Sequence, residues 1–355
     1  MLNSLVIKNF RMLEDFTVEK LGRVNLIVGK NNSGKSTVLE ALVVYAWNAD
    51  TKILKRIAER RDEVFQQNNN RFFYEDLFTD RKFPESKYAT EDELENAHFP
   101  DTTDEEIIIT GTNSKSKSVH IWSTGNVSYN ARGSYDEDCL IMPSQVRDDW
   151  EENFESQKIP FGFVTTQFVE TEKLEKEWNE INLTDNEEIV IRALQIIVPD
   201  FKRLAFDGDN NKRWVKVKLA DLPKPVPLKS LGDGMLRILQ IAIKLVSAQG
   251  GFLLIDEFEN GLHYSVQENV WRLLFEMAEK LDIQVFATTH SWDCIESFTK
   301  VALENETTEG VLFRMGKSAV NRTIGEREIK EGQVIATIFD KDKLSRMTES
   351  DIEVR

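Results

Sequence analysis

The sequence has little of what would indicate a disulfide-stabilised, zinc-binding or membrane protein. Cys139 and Cys294 are its only cysteines in 355 residues, and they lack the C-x-x-C spacing of a zinc or redox site. No run approaches the roughly 18 consecutive apolar residues of a membrane span, and the N-terminal segment lacks the layout of a signal peptide. These absences exclude a disulfide framework and predict a cytoplasmic protein without a membrane partner.

Positive charge is also scarce. The chain carries 45 lysines and arginines against 61 aspartates and glutamates, a net charge of −16. Such a charge opposes general association with nucleic acid, so DNA is an allowed but disfavoured partner. With 41% hydrophobic residues the chain can bury the core of one large or two ordinary domains. No internal repeat, low-complexity tract or sustained heptad pattern was found, which argues against long coiled-coil arms.

A glycine-rich segment is present between the apolar run VNLIV and the segment VLEALVVYA. Its spacing matches G-x-x-x-x-G-K-[ST], the pattern of a loop that cradles phosphate groups. A strand that leads through such a turn into a helix leaves backbone N–H groups unpaired, and phosphate oxygens accept from them. The predicted nucleotide-binding residues of this phosphate loop are Gly29, Lys30, Asn31, Asn32, Ser33, Gly34, Lys35, Ser36 and Thr37.

The side chains of the phosphate loop have separate predicted tasks. Gly29 and Gly34 permit backbone conformations and close approaches that a Cβ would block. Lys35 can reach the β- and γ-phosphates of ATP, and the Ser36 hydroxyl can bind Mg²⁺. The alternative is a plain glycine-rich turn between strand and helix; the motifs downstream favour nucleotide binding.

The remaining pattern predicts an α/β protein with an insertion. Two strands are predicted in SLVIKNFRML and FTVEKLGRVNLIVG, with a helix from about Ser33 to Trp47. Further on, RIAERRDEVFQQNNNRFFYEDLF has helical spacing, whereas EEIIITGTNSKSKSVHIWSTGNVSYNA predicts a hairpin or small antiparallel sheet. We therefore predict a discontinuous head of residues 1–50 and 160–320, an inserted β/helical lobe of residues 51–159, and a C-terminal β/helical tail of residues 321–355 packed on the head.

Two acidic residues end a second apolar run, in GFLLIDEFENGLH. An unbroken apolar run is typical of a parallel strand covered on both faces, and ligands bind at the carboxyl edge of such sheets. Asp256 is therefore predicted to hold Mg²⁺ or its water, and Glu257 to be the general base for an attacking water. Without the phosphate loop, an acidic helix N-cap would be the preferred interpretation.

Two further segments are interpreted as functional because the phosphate loop and the acidic strand end are also present. The strand IQVFATTH ends at His290, whose imidazole could contact the γ-phosphate and the attacking water; a lone histidine there is otherwise an ordinary surface residue. The glycines of LKSLGDGMLRILQIAIKL begin an apolar helix, which offers a second helix N-terminus for phosphate. Alone, that segment indicates only a turn and a helix start.

Taken in order, these motifs resemble the ABC-type ATPases outside the transporters, the group of SMC, Rad50 and RecF proteins, and more closely the OLD-like, AAA15-like ATPases of prokaryotic phage defence, including the PARIS type. GKNNSGKS resembles Walker A, LLIDE Walker B, SLGDG the ABC signature, NGLH the D-loop, and TTHS the switch-histidine motif. The signature departs from L-S-G-G-Q at Leu231 and Asp233, so Ser230 and Gly232 are the residues carried over. Gln167, at the end of FVTTQ, is the corresponding candidate for the Q-loop contact to Mg²⁺.

The resemblance implies an α/β P-loop fold: an ABC-type ATPase head with a mixed, mainly parallel central sheet, an antiparallel β subdomain and a helical lobe. It also implies ATP and Mg²⁺ as cofactors and ATP hydrolysis as the activity, with Lys35, Glu257 and His290 catalytic. Heads of this group pair face to face, so Ser230 of one subunit would contact ATP held by Lys35 of another in a homodimer or higher oligomer.

The resemblance leaves the effector open. OLD nucleases carry a C-terminal TOPRIM domain, and the residues after His290 are too few for one; we interpret Asp340 and Asp342 as a solvated turn. The first hypothesis is an ATPase that controls a separate effector, such as a TOPRIM-type nuclease or a toxin, in phage defence. The alternatives are a RecF/Rad50-like repair ATPase that binds DNA directly, or a nuclease whose insertion supplies metal ligands.

Overall fold

A computed structural model describes residues 1–63, 67–68, 71–72, 77–79, 106–112, 117–123, 129–134, 158–166, 171–209, 213–324 and 327–350. Its strands are β1 (Ser4–Phe10), β2 (Leu13–Val18), β3 (Val24–Val28), β4 (Gln67–Asn68), β5 (Arg71–Phe72), β6 (Glu106–Thr112), β7 (Lys117–Ser123), β8 (Tyr129–Ser134), β9 (Phe161–Val164), β10 (Phe201–Gly208), β11 (Arg213–Leu219), β12 (Val226–Pro227), β13 (Phe252–Ile255), β14 (Gln284–Thr289), β15 (Gly310–Lys317), β16 (Arg322–Ile324), β17 (Arg327–Ile329) and β18 (Val334–Phe339). Its α-helices are α1 (Lys35–Ala46), α2 (Thr51–Glu59), α3 (Thr171–Ile181), α4 (Glu187–Gln195), α5 (Asp233–Ser247), α6 (Tyr264–Lys280), α7 (Trp292–Glu304) and α8 (Lys341–Ser350), with a 3-10 helix at Leu228–Leu231.

The central sheet has six strands in the order β18-β15-β3-β14-β13-β9. All neighbours pair in parallel except β18, which is antiparallel to β15 at one edge. Every residue of β3, β13 and β14 is buried, as expected for apolar strands covered by helices on both faces. The predicted mixed, mainly parallel α/β sheet is confirmed.

A second, antiparallel sheet has the order β2-β1-β6-β7-β8. The prediction of two strands before the phosphate loop was wrong: the chain forms three, because β1 and β2 make a hairpin and β3 begins only after a break. At that break the Asn25 side chain exchanges hydrogen bonds with the backbone of Gly22, accepting at 2.8 Å and donating at 2.8 Å. These bonds satisfy the backbone where strand pairing stops.

The insertion shares this antiparallel sheet. β6 pairs with β1 in register from Ser4 and Thr112 onwards, and β7 and β8 continue the sheet outwards. The predicted antiparallel strands are therefore confirmed, and in space they extend the sheet that the head begins. The helix predicted over residues 56–78 ends at Glu59, and residues 67–68 and 71–72 form the antiparallel strands β4 and β5 instead. Residues 64–66, 69–70 and 73–76 of that prediction lie outside the described residues.

The helices fall on both sides of the central sheet. Residues 37–46 of α1 are buried between the two sheets. Helices α5, α6 and α7 pack on the other face of the central sheet. A three-stranded sheet, β10-β11-β12, packs on α3, α4 and the 3-10 helix. In the described part of the chain, no helix is long and apolar enough to cross a membrane.

Candidate active site

The phosphate loop leaves β3 through a backbone that only glycine fits. Gly29 has φ +152°, and a Cβ there would lie 2.6 Å from the Met315 carbonyl oxygen and 2.8 Å from Ser33 Oγ. Gly34, at φ +94°, is the N-cap of α1 and offers no side-chain cap to the first N–H groups. Ser33 Oγ is buried and has no hydrogen-bond partner among the described residues. A cradle of free N–H groups and an unsatisfied hydroxyl fits a phosphate ligand.

Lys35 closes over this loop. Its Nζ donates to the carbonyl oxygens of Gly29 at 2.8 Å and Lys30 at 3.0 Å. Burial lowers the pKa of the Lys35 ammonium, while the charges of nearby carboxylates, chiefly Asp256, oppose that shift. The cation is therefore held by loop carbonyls at the place where the sequence pattern predicts phosphate oxygens.

Ser36 and Asp256 meet at the carboxyl edge of the central sheet, although 220 residues separate them. The Ser36 hydroxyl lies 3.0 Å from both carboxylate oxygens of Asp256. Thr288, in the adjacent strand β14, donates to Asp256 Oδ1 at 2.6 Å and fixes the carboxylate. A hydroxyl and a carboxylate are oxygen ligands of the kind that Mg²⁺ prefers, so these residues fit the predicted metal.

Glu257 has an unusual backbone. Its φ is +49°, a left-handed conformation that costs a residue with a Cβ about 1–3 kcal/mol and is found at functional sites. Its N–H donates to Thr288 Oγ1 at 2.9 Å, and its carbonyl accepts from Arg237 at 2.8 Å. These contacts hold the backbone of the turn that follows β13.

Arg237 is a buried cation that sequence reasoning missed. From α5 it donates to the carbonyl oxygens of Thr165 at 2.6 Å, Asp256 at 2.7 Å and Glu257 at 2.8 Å. Burial lowers its pKa to about 10, and the neighbouring carboxylates oppose this. It ties the helix after the signature segment to the acidic turn. A lone arginine in the apolar run MLRILQIAI was the available signal.

His290 is held by a second missed residue, Glu259. One Glu259 oxygen lies 3.0 Å from His290 Nδ1 and also accepts from the His290 backbone N–H at 3.0 Å. The other oxygen accepts from the Thr289 hydroxyl at 2.7 Å. The Glu259 carboxylate is 13% exposed, against 51% for the imidazole. Glu259 thus fixes the backbone and ring of His290, which leaves Nε2 exposed for a ligand.

The signature segment has different surroundings. Ser230 is exposed, and its hydroxyl donates to the Pro227 carbonyl at 2.6 Å. Gly232 has φ +99° and is the N-cap of α5, with open space where a Cβ would be. The first N–H groups of α5 have no side-chain cap, and Gly232 and Asp233 are exposed, so this helix start lies at the surface.

The structure brings most predicted site residues to one sheet edge. Walker residues of the phosphate loop, Asp256, Glu257 and His290 follow β3, β13 and β14, which are adjacent strands. Ser230 and Gly232 make only local hydrogen bonds among the described residues, and Gln167 lies outside them.

Comparisons with known proteins agree with this arrangement. A family model described as an AAA ATPase domain matches residues 1–187, more than half of the chain. A second model, described as "AAA domain, putative AbiEii toxin, Type IV TA system", matches residues 152–293.

The individual relatives either have low sequence identity to this chain or match only part of it. The chain is 22% identical over 334 residues to an ATP/GTP phosphatase of Helicobacter pylori, covering 86% of this chain and 90% of that protein. It is 33% identical over 91 residues to the uncharacterized protein MJECL11 of Methanocaldococcus jannaschii, covering 26% and 79% respectively.

Solved structures show the fold. An SMC head bound to the C-terminal winged-helix domain of ScpA matches with a TM-score of 0.57 at 12% identity, covering 97% of this chain and 99% of that one. An SMC head with an extended coiled coil, bound to the C-terminal domain of ScpA derived from Pyrococcus furiosus, matches with a TM-score of 0.56 at 10% identity, covering 99% of both. The predicted ATPase-head fold is confirmed.

Proposed function

The chain belongs to the AAA ATPase domain family and is an ATPase, and from this premise we propose that ATP drives two heads together to control a separate effector. One observation carries the composite part of this proposal. The signature turn at Ser230 and Gly232 is exposed and begins a helix without a side-chain cap, yet it makes no hydrogen bond to Lys35 or Asp256 within the described part of the chain. A second copy of the chain can supply the missing half of the site.

Within one subunit, the residues divide the work of hydrolysis. Lys35 and the phosphate-loop N–H groups bind the phosphates, a role supported by the N-terminus of α1, which has no side-chain cap. Glu257 accepts a proton from the attacking water, because its carboxylate is at the strand end and has no hydrogen bond to the described residues. His290, positioned by Glu259, contacts the γ-phosphate and so distinguishes ATP from ADP.

Magnesium would be held by Ser36 and Asp256, with Gln167 as a further proposed ligand. When bound, Mg²⁺ would offset negative charge on the phosphate oxygens. The contact between Ser36 and Asp256 at 3.0 Å places both oxygen ligands side by side in advance.

In this proposal, ATP binding and hydrolysis control the activity of an effector protein. The match of residues 152–293 to a model described as "AAA domain, putative AbiEii toxin, Type IV TA system" supports a role in a toxin–antitoxin or anti-phage defence system. A TOPRIM-type nuclease or a toxin is the effector that we propose for it. The net charge of −16 favours a protein partner over bare DNA.

The composite site is tested by the mass of the particle in solution. With ATP, Glu257→Gln should form dimers that sedimentation detects, because ATP is bound but slowly hydrolysed. Adding Ser230→Arg should return that protein to monomers. Val320→Arg, at a side chain that is 59% exposed on the C-terminal part of the head, is the matched control and should leave the dimer intact. A particle mass that does not change in any of the three proteins when ATP is added would contradict the proposal.

The effector is tested by capture from the native host. Glu257→Gln with ATP and Lys35→Ala should retain different proteins, because only the first reaches the dimeric state. Identical proteins on both baits, or nucleic acid alone at about 150 mM salt, would reject a nucleotide-controlled protein effector.

A further inference from the structure

One part of this acidic chain is strongly basic. Residues 201–230 contain eight lysines and arginines against three aspartates and no glutamate, in a chain of net charge −16. They form β10, β11, β12 and the 3-10 helix that carries Ser230. A local reversal of sign on a negatively charged protein marks a surface for an anion.

The strand register gathers the basic side chains on one face of this sheet. Val215, Val217 and Leu219 of β11 are buried, so the alternate residues Trp214, Lys216 and Lys218 face away from the core. Across the sheet, Arg203 is the direct partner of Lys218, and the register shifts beside Arg203, where Lys202 is also exposed. We name Lys202, Arg203, Trp214, Lys216 and Lys218 the basic sheet face.

Arg203 and Lys218 form a cross-strand pair of like charge. Such a pair destabilises a sheet unless an anion lies between the two cations. Lys216 already has a partner, since it donates to Asp207, and Lys218 donates to the Leu222 carbonyl. No carboxylate among the described residues forms an ion pair with Lys202, Arg203 or Lys218, so the positive charge of these residues is uncompensated.

Trp214 favours nucleic acid over an acidic peptide as the anion that binds this face. Its ring is partly exposed on the same face, with Lys216 Nζ 5.9 Å from the ring centroid. Acidic peptides satisfy lysine and arginine but have no general use for an exposed indole. Nucleobases stack on aromatic rings while their phosphates pair with neighbouring cations, which is how sequence-tolerant single-strand binders work.

We propose that the basic sheet face binds single-stranded nucleic acid, with phosphates at Arg203 and Lys218 and a base stacked on Trp214. The face precedes the signature segment directly: β11 contacts the 3-10 helix that bears Ser230. The acidic remainder of the chain repels nucleic acid and confines it to this sheet.

The proposal predicts that reversing a charge on the basic sheet face weakens binding of nucleic acid without lowering the stability of the protein. Lys218→Glu and Arg203→Glu each turn the like-charged pair into an opposite-charged one, so each variant should be at least as stable as wild type. Each should nevertheless bind fluorescein-labelled dT20 about 10-fold more weakly at about 50 mM salt. The slope of log Kd against log salt should fall by about 1–2, because each change removes one cation and adds an anion near the phosphates.

Two further variants complete the experiment. Lys317→Glu makes the same change of charge on an exposed strand residue elsewhere and should alter neither affinity nor slope. Trp214→Ala should weaken dT20 binding about 10-fold while the slope stays unchanged, because stacking carries no salt dependence of this kind. Absence of dT20 binding by wild type, equal losses in Lys317→Glu, or tighter binding of polyglutamate than dT20 with no effect of Trp214→Ala, would overturn the proposal.

Discussion

Two regions of the chain are proposed to contact phosphate, and they differ in how many contacts each makes within its own subunit. At the phosphate loop, Ser36, Asp256 and Thr288 are joined by hydrogen bonds of 3.0 Å or less across neighbouring strands. At the signature turn, the exposed Ser230 hydroxyl donates to the carbonyl of Pro227, the N-cap of its 3-10 helix, and makes no other hydrogen bond within the described part of the chain. The first region is tied together by its own subunit, whereas at the second a Cβ built on Gly232 would meet no described residue within 4 Å.

The difference supports the proposal that one subunit binds ATP but needs a second subunit to hydrolyse it. Arg237 links the two regions, because it projects from the helix that follows the signature and donates to the carbonyl oxygens of Asp256 and Glu257. Under the proposed function, contact at the signature turn would reach the subunit's own catalytic turn through this side chain and would couple nucleotide state to pairing of the heads.

The largest expected effect is at Glu257, within the completed region. Glu257→Gln keeps the size and shape of the side chain but removes its basicity, so hydrolysis should slow by about 10²- to 10⁴-fold while ATP affinity is retained. Steady-state phosphate release and equilibrium binding of a fluorescent ATP analogue measure the two quantities. Turnover near the wild-type rate would remove the general-base assignment.

Lys35→Ala should act on binding instead. It removes a charge-assisted contact worth about 1.5–3 kcal/mol, so ATP affinity should fall about 10- to 150-fold. Lys30→Ala is the matched control in the same loop, because only the backbone carbonyl of Lys30 contacts the Lys35 ammonium. Unchanged affinity in Lys35→Ala, or an equal loss in Lys30→Ala, would contradict this role.

Glu259→Gln should slow hydrolysis about 10-fold, with ATP affinity kept. The amide can still accept from the His290 backbone, but it loses the charged acceptor beside Nδ1, so the ring is held less firmly. The ¹⁵N shifts of His290 should show a changed mixture of ring tautomers, which a purely structural role would not produce. Glu296→Gln, exposed on α7, is the control, and equal rates in both variants would exclude positioning by Glu259.

The smallest effect tests a residue far from either phosphate region. Lys117 is buried in β7, where its Nζ donates to the Tyr45 carbonyl at 3.0 Å, and burial lowers its pKa to about 8. Its ordinary value is 10.5. Between these values the unfolded chain binds a proton that the folded chain has released, so stability should rise as pH increases from about 8 to about 10.5.

Lys117→Met should therefore raise the free energy of unfolding at pH 7, by about 1–2 kcal/mol, because it removes a buried charge. The gain should shrink towards pH 10.5, and ATP turnover should not change. Urea denaturation at the two pH values checks both statements. A loss of stability at pH 7, or a gain that persists at pH 10.5, would contradict the assigned protonation.

Sequence patterns predicted the central sheet well because its information is local. Apolar runs such as VNLIV and FLLI specify buried parallel strands, and the glycine spacing specifies the loop that follows. The patterns failed where long-range pairing decides, as when β6 joins β1 across about a hundred residues. Arg237 and Glu259 were missed for the same reason: their roles depend on carbonyl and imidazole partners that no spacing rule in one sequence reveals.

The most direct measurement of the composite site is hydrolysis by mixed subunits. Lys35→Ala and Ser230→Arg should each be inactive alone, because each places a lesion in both sites of a homodimer. In a mixed dimer both lesions fall on one site and the other is wholly wild type, so ATP turnover should return when the two inactive proteins are combined. Undiminished hydrolysis by monomeric Ser230→Arg, with no further gain in turnover per Ser230→Arg chain when Lys35→Ala is added, would show that each head hydrolyses ATP by itself.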